Sequence, residues 1–531
     1  MKRLFLSLSL FLFILLLPSI ASAAVYYVDY SGSHASGTLI APWKYCPGDT
    51  RFTGTYTADT TNGDTFIFKG GVTYTIDATT GIVPANSGAS DTKRIIYDGD
   101  SGTYAARWGS GTDKGKIDVN QYTYAFKVSS KNYITINNFE IYNSHGGTKS
   151  TRTSPVYFQN SDFAVVSNCK LHDCGSSLLP SGRCIYLNGD GGPNDYAEIF
   201  NNEIYDAYYD GIFTYRGGHN KIHHNTIHGG IGWGIAVTSP SDGNEIYNNT
   251  FTDITPNPAV HNDPIWIYSS ASGSMTGMKI YNNLYYFSSD WDEIGQTVAA
   301  MSAVISIQND PGGYDWSGIQ IFNNVIVNPW TSDGAIRISS MSGNINNSEV
   351  YNNSIWTEHS SGIRIVASGS YGTQNNVKIK GNIVYNINSG EHGDMQLAIA
   401  LPDDMTKCSN PQVDNNNYYT KTSNNFYYGG SSHTWAQWQP AGYDTHSLGP
   451  SSDPKYTNAS QSTHDVTLQA TSPCIDTFPT GQAPTNLFTA DITGLFRPQG
   501  SAWDIGAYEY AEAAPPPDTT PPAAPSGVTV I

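Results

Sequence analysis

Glu198-Ile-Phe-Asn-Asn-Glu-Ile204 is followed by Lys221-Ile-His-His-Asn-Thr-Ile227 and then by Glu245-Ile-Tyr-Asn-Asn-Thr-Phe251. The phrase returns as Lys279-Ile-Tyr-Asn-Asn-Leu-Tyr285, Gln320-Ile-Phe-Asn-Asn-Val-Ile326, Glu349-Val-Tyr-Asn-Asn-Ser-Ile355 and Lys378-Ile-Lys-Gly-Asn-Ile-Val384. Degenerate copies stand at Ile136-Asn137-Asn138-Phe139, at Val166-Ser167-Asn168-Cys169 and between Val413 and Tyr418. The second Asn falls at Asn202, Asn225, Asn249, Asn283, Asn324, Asn353, Asn382 and Asn416, at intervals from 23 to 41 residues. Short β-rich runs at this spacing, without helical periodicity, predict a β-solenoid. The Leu-x-x-Leu-x-Leu signature of a leucine-rich repeat is missing. Stacked Asn side chains are expected to hydrogen-bond from rung to rung, and Asn also tolerates left-handed turns. In one coil both roles can hold.

A second strand is expected after each Asn turn. It reads Arg183-Cys-Ile-Tyr-Leu187, Asp210-Gly-Ile-Phe-Thr214, Trp233-Gly-Ile-Ala-Val237 and Asp263-Pro-Ile-Trp-Ile267. Later versions are Ala303-Val-Ile-Ser-Ile307, Gly334-Ala-Ile-Arg-Ile338 and Ser361-Gly-Ile-Arg-Ile365. Alternation turns the first Ile of each into the core and the next residue outward.

These phrases, the opening Tyr26-Tyr-Val-Asp-Tyr-Ser-Gly-Ser33 through Pro42-Trp43-Lys44, and Gly63-Asp-Thr-Phe-Ile-Phe-Lys-Gly-Gly71 together carry a family resemblance. The chain resembles the right-handed parallel β-helix repeat proteins of the pectate-lyase-like superfamily, over nearly all its mature length. Ala470-Thr-Ser-Pro-Cys-Ile-Asp476, Arg497-Pro498 and Asp504-Ile-Gly-Ala-Tyr-Glu509 are similar to the end of the choice-of-anchor Q group. The resemblance implies an all-β fold: a right-handed parallel β-helix with an N-terminal cap and an irregular C-terminal region. The expected division is a signal peptide over 1–23, cap and first coils over 24–125, repeats over 126–430, and a C-terminal β region over 431–511. A Pro-rich linker over 512–531 ends in a stretch resembling the first strand of a fibronectin type III module.

Lys2 and Arg3, an apolar run from Leu4 to Pro18, and small residues at Ala21 and Ala23 describe a secretory signal. The run is shorter than the roughly 20 residues of a membrane span. A secreted or cell-surface location follows, with anchoring expected, if at all, beyond the C-terminal linker. Without Lys2 and Arg3, 25 basic side chains face 45 acidic ones, so the mature charge is about −20. Nucleic acid, which needs a basic footprint, is excluded as the main partner. An acidic polysaccharide would need Ca²⁺ or an Arg cluster to offset the repulsion; no other cofactor is called for, and a monomer is expected. Six cysteines permit disulfides, with Cys169, Cys174 and Cys184 near one another and Cys408 within reach of Cys474.

Function is expected on the outward columns. The first runs Tyr186, Phe213, Ala236, Trp266, Ser306, Arg337, Arg364; the second runs Asn188, Tyr215, Thr238, Tyr268, Gln308, Ser339, Val366. A solvated sheet face should be polar, yet here aromatics give way to arginines. Exposed apolar patches mark binding surfaces, and flat rings suit the C–H faces of sugars. Tyr186, Phe213, Tyr215, Trp266, Tyr268 and Arg364, with Trp291 from a long loop, are therefore the candidate substrate-binding residues for a polysaccharide.

Loops lengthen between Cys169 and Cys184, Asn249 and Pro264, and Asn283 and Val304, as insertions lining a binding side do. They bring His172, Asp173, Arg183, His261, Asp263, Asp290, Trp291, Asp292 and Glu293. Asp210 and Asp263 share a register two rungs apart, about 9–10 Å, near the separation of an inverting glycosidase pair. Arg183, one rung before Asp210, would tune it or bind a uronate. The lyase alternative uses Arg337 and Arg364 against a carboxylate, with Tyr215, Tyr268 or His261 as base. The Asn-Thr-Asp, Gly-Asp-Asp, Gly-His-Gly and Arg-Ile-Lys signatures of polygalacturonases do not occur. His219, His223, His224 and His228 alternate faces along their strands and are expected to be structural rather than metal ligands. The rival function is a non-catalytic adhesion protein built on the same rod.

Overall fold

The computed structural model describes residues 23–109, 112–145, 154–175, 182–230, 232–254, 263–269, 273–287, 301–310, 313–329, 331–357, 360–367, 372–386, 397–420, 425–459 and 465–511. The expected signal peptide and the linker over 512–531 lie outside them. The chain winds into a right-handed parallel β-helix with three long sheets of 13, 12 and 12 strands and a minor sheet of five.

The Asn phrase is not one strand but two. Glu198–Phe200 joins the first sheet, the Asn pair bends the chain, and Glu203–Tyr205 joins the second. The first Asn of the pair takes the left-handed conformation, with φ of 55° at Asn201, 53° at Asn248 and 54° at Asn282; His224 stands in the same conformation at 54°. Asn tolerates this geometry through its short polar side chain.

The second Asn turns inward, where its amide replaces backbone partners lost at the bend. Asn202 Nδ2 donates to Asn225 Oδ1 at 2.9 Å, and the chain of donation continues through Asn249, Asn283, Asn324, Asn353 and Asn382 to Asn416 at 2.9–3.1 Å. Each oxygen also accepts the backbone N–H of the Asn before it, as Asn324 Oδ1 does from Asn283 at 3.0 Å. Both expected roles of the Asn pair are present, divided between its two members.

The third sheet carries the other repeated strand, Asp210–Tyr215 in one coil and Trp233–Thr238 in the next. Ile185, Ile212, Ile235, Ile265, Ile305, Ile336 and Ile363 stack at one height and are wholly buried. Ile199, Ile222, Ile246, Ile280, Ile321, Val350 and Ile379 do the same beneath the first sheet. Burying each such side chain contributes roughly 1.5–3 kcal/mol, so the coil holds together without disulfides. All six cysteines are free and buried.

Outside the coil, the C-terminal region packs on the first two sheets. Phe478, Trp503 and Ile505 meet Phe322, Tyr351, Trp356 and Ile383. Asn352, freed from the ladder by its left-handed backbone, donates to Asp504 O at 2.9 Å. This region leaves the outer face of the third sheet uncovered by its main cluster.

Candidate functional site

Parallel pairing in register builds the two expected outward columns on the third sheet. Tyr186 pairs with Phe213, Phe213 with Ala236, Ala236 with Trp266, Trp266 with Ser306, Ser306 with Arg337, and Arg337 with Arg364. The row begins two coils earlier than the sequence reading placed it, with Lys127 beside Tyr157 and Tyr157 beside Tyr186. A third column stands at the strand starts, where Arg183 pairs with Asp210 and Asp210 with Trp233. Between the first and third columns two consecutive residues, Cys184 and Ile185, both enter the core. Strict alternation breaks there, and glycine takes the tight position in the next coils: a Cβ on Gly211 would lie 2.7 Å from Gly234 O.

A pocket of about 310 Å³ opens on this face. Thr238 forms its low floor, a small side chain between Tyr215 and Tyr268 of the neighbouring coils. Tyr186, Phe213 and Tyr215 rise on one side, and Trp266 and Tyr268 on the other. The space above Ala236 admits the Trp233 ring, which stacks on Trp266 with centroids 4.5 Å apart; Tyr268 stacks on Trp266 at 4.7 Å. Tyr209 meets Trp233 edge to face at 4.9 Å. The centre of this cluster, Phe213, Trp233 and Ala236, is buried, while Tyr186, Tyr209, Tyr215 and Trp266 are partly exposed around it. The aromatic face is thus a small second core with an open rim. Burial, then the Asp310 carboxylate, raise the Tyr268 phenol above its ordinary pKa, so it remains a neutral hydroxyl.

The charged candidates sit differently from the arrangement expected for catalysis. Arg183 and Asp210 are both wholly buried and ion-paired through Nε and Oδ2. The guanidinium lies 3.4 Å from the Phe213 ring centroid and 4.6 Å from that of Tyr186, forming the back of the pocket. Asp263 is also wholly buried and accepts from Ser302 Oγ at 2.6 Å and Ala303 N at 2.9 Å. Asp210 and Asp263 do share a column across Trp233, but neither carboxylate lines an open gap that could hold a water. That differs from the inverting pair, which needs space for the nucleophile. The reason is local: each Asp satisfies a cation or N–H groups at its own strand start.

Arg337 and Arg364 stand one coil apart and share one carboxylate, Asp333, at 3.4 and 2.6 Å. Neither borders the aromatic pocket. His261 and Trp291, with Asp290, Asp292 and Glu293, lie outside the described residues. His172 stacks between Tyr142 and Tyr205 on the second sheet, away from the pocket. His219 stacks on Tyr196 and His223 between Phe200 and Tyr247. Among the described residues no three His, Cys, Asp or Glu side chains gather as a cation site, Ca²⁺ included.

Sequence reasoning missed Tyr157, Tyr209 and Trp233. Trp233 was legible, since it occupies the register of Asp210 and Asp263. Tyr209 lies at the corner before the strand, where alternation gives no direction.

Among the described residues no helix is long and apolar enough to cross a membrane. No curated protein sequence matches the chain. Several solved structures are similar to it in backbone path. Pectate lyase Pel9A shares 14% identity at a TM-score of 0.45, covering 93% of this chain and 98% of that one. An alginate lyase from Paenibacillus sp. str. FPU-7 shares 12% at 0.40, covering 67% and 99%. A tailspike protein of E. coli bacteriophage HK620 shares 11% at 0.39, covering 69% and 72%. These likenesses concern the winding of the chain and say nothing of the chemistry on it. Residues 155–345 match a family model described as the right handed beta helix region, in agreement with the coil described above.

Proposed function

We propose that the chain is an exported protein that binds a polysaccharide in the aromatic pocket of its third sheet. The observation that carries this reading is the slot over Thr238, with Tyr215 on the coil before and Tyr268 on the coil after. Those coils are two rungs apart, so the wall backbones stand about 9–10 Å from one another. Allowing for the rings, the gap suits one sugar ring lying against an aromatic face. Tyr215 and Tyr268 place hydroxyls at the rim, where polar groups fix a ligand's orientation. Export is supported by the N-terminal charge, apolar run and small residues.

Binding, rather than turnover, is the function this geometry supports, because the carboxylates beside the pocket are buried and engaged. The test is retention of the mature protein on immobilised neutral and acidic polysaccharides, with Trp266→Ala as control. Binding to at least one polymer, weakened tenfold or more in the variant, supports the reading. Absence of retention on the whole panel overturns it. New reducing ends, or absorbance near 235 nm (an order-of-magnitude wavelength for the unsaturated product of β-elimination), would add catalysis to binding.

A further inference from the structure

We infer that the polysaccharide taken by this pocket is uncharged, an inference that rests on the binding reading above and narrows it. A site for a polyuronate presents cations whose charge is left over for the substrate. Among the described residues each arginine of this sheet is ion-paired with a carboxylate of the same face, Arg337 and Arg364 sharing one. Arg183 is ion-paired with Asp210 and sealed from solvent. Arg216, just after Tyr215, lies 3.7 Å from Asp190. Arg337 and Arg364 hold Asp333 between them, and Asp403 lies with Arg364 around a separate small cavity. Lys127, three rungs before Phe213, sits over the Tyr124 ring, well away from the slot.

The pocket therefore recognises its ligand through ring faces and hydroxyls. Those groups match an unionised sugar, whose C–H face stacks on an aromatic ring and whose hydroxyls meet phenols. A carboxylate entering the slot would lose water without gaining, among the described residues, a cation that no carboxylate already holds, a costly exchange in a partly buried site. The surplus of acidic over basic residues, 45 against 27, adds repulsion at long range.

The experiment compares each neutral polysaccharide that the mature protein retains with the same polymer oxidised at C6 to the uronate, at low ionic strength, where charge effects are largest. Natural polyuronates are run beside them, with and without Ca²⁺. The expected result is at least tenfold weaker binding after oxidation, and Trp266-dependent retention of the neutral form. Equal or tighter binding of an oxidised or natural uronate overturns the inference while leaving the binding reading intact. Failure to retain any polymer, neutral or acidic, overturns the binding reading itself.

Discussion

Arg183 and Asp210, 27 residues apart in sequence, are partners on adjacent rungs and form an ion pair that solvent does not reach. Burying two charges costs several kcal/mol each unless each satisfies the other, and here the guanidinium is also stacked on Phe213. Removing one partner alone leaves an uncompensated buried charge. Arg183→Met is expected to destabilise the protein by about 3–5 kcal/mol, and Asp210→Leu by a similar amount. The double variant should recover at least half of the loss, because two apolar side chains replace two mutually dependent charges. Denaturant unfolding of the four proteins measures this coupling. Strictly additive effects would show that the pair is not an energetic unit.

The Asn ladder gives a second expectation. Asn324 donates to Asn353 Oδ1 and Ile280 O at 3.0 Å, and accepts from both nitrogens of Asn283 at 3.0 Å. Asn324→Leu strands those donors in a dry interior, at about 1–3 kcal/mol for each unsatisfied group. A loss of about 3 kcal/mol or more is expected. A second ladder runs along the surface through Asn347, Asn376 and Asn410 at 2.9–3.1 Å. There water replaces what is lost, so Asn376→Gly, which keeps the left-handed backbone (φ 55°) without strain, should cost under about 1 kcal/mol. Equal losses from the two ladders would contradict the argument from burial.

The slot can be closed without deleting an aromatic. Thr238 pairs with Tyr215 on one side and Tyr268 on the other. Rings at successive rungs already stack elsewhere on this coil, as Tyr247 does on Tyr281 at 4.8 Å. Thr238→Tyr should therefore fold with an unchanged melting temperature, its ring filling the gap between the walls. Polysaccharide binding should fall tenfold or more. Undiminished affinity would place the ligand somewhere other than this slot.

The coil was legible because its two phrases repeat the same chemistry at each turn: Ile for the core, Asn for the bend. The outward columns were legible for the same reason, since parallel register converts a fixed offset from Ile into a vertical row. Two things were not. The short strand that follows the Asn turn inside the phrase was not singled out, because a two-residue bend leaves no gap in the hydrophobic pattern. The burial of Asp210 and Asp263 was the other, because periodicity gives a column, not a depth. Whether a carboxylate in that column meets water or Arg183 depends on the corner where Cys184 and Ile185 both turn inward, a local break in alternation. The alternation of Glu198, Lys221, Glu245 and Lys279 along one column was equally readable; opposite charges on neighbouring strands hold that register.

His223 supplies a prediction in pH. It lies between Phe200 and Tyr247, at 5.2 and 4.6 Å, with Glu198 and His224 in hydrogen-bond reach. Burial holds its pKa below the ordinary 6.5, outweighing the Glu198 carboxylate that pulls it up, while the His224 and Lys221 charges add to the depression. The folded state therefore prefers the neutral ring, and the unfolded chain takes up a proton first as pH falls. By linkage, the stability tied to His223 is fully present above pH 6.5 and is lost as pH drops through that value toward the folded pKa. Phe200 and Phe322 occupy the same column, so His223→Phe keeps the stack and removes the titration. The variant should gain on the wild type as pH is lowered from 8 to 5.5, because carboxylates common to both proteins cancel in the difference. A stability difference that stays constant across that range would mean that His223 does not discriminate between its two protonation states, and that the ring stack alone accounts for its place in the column.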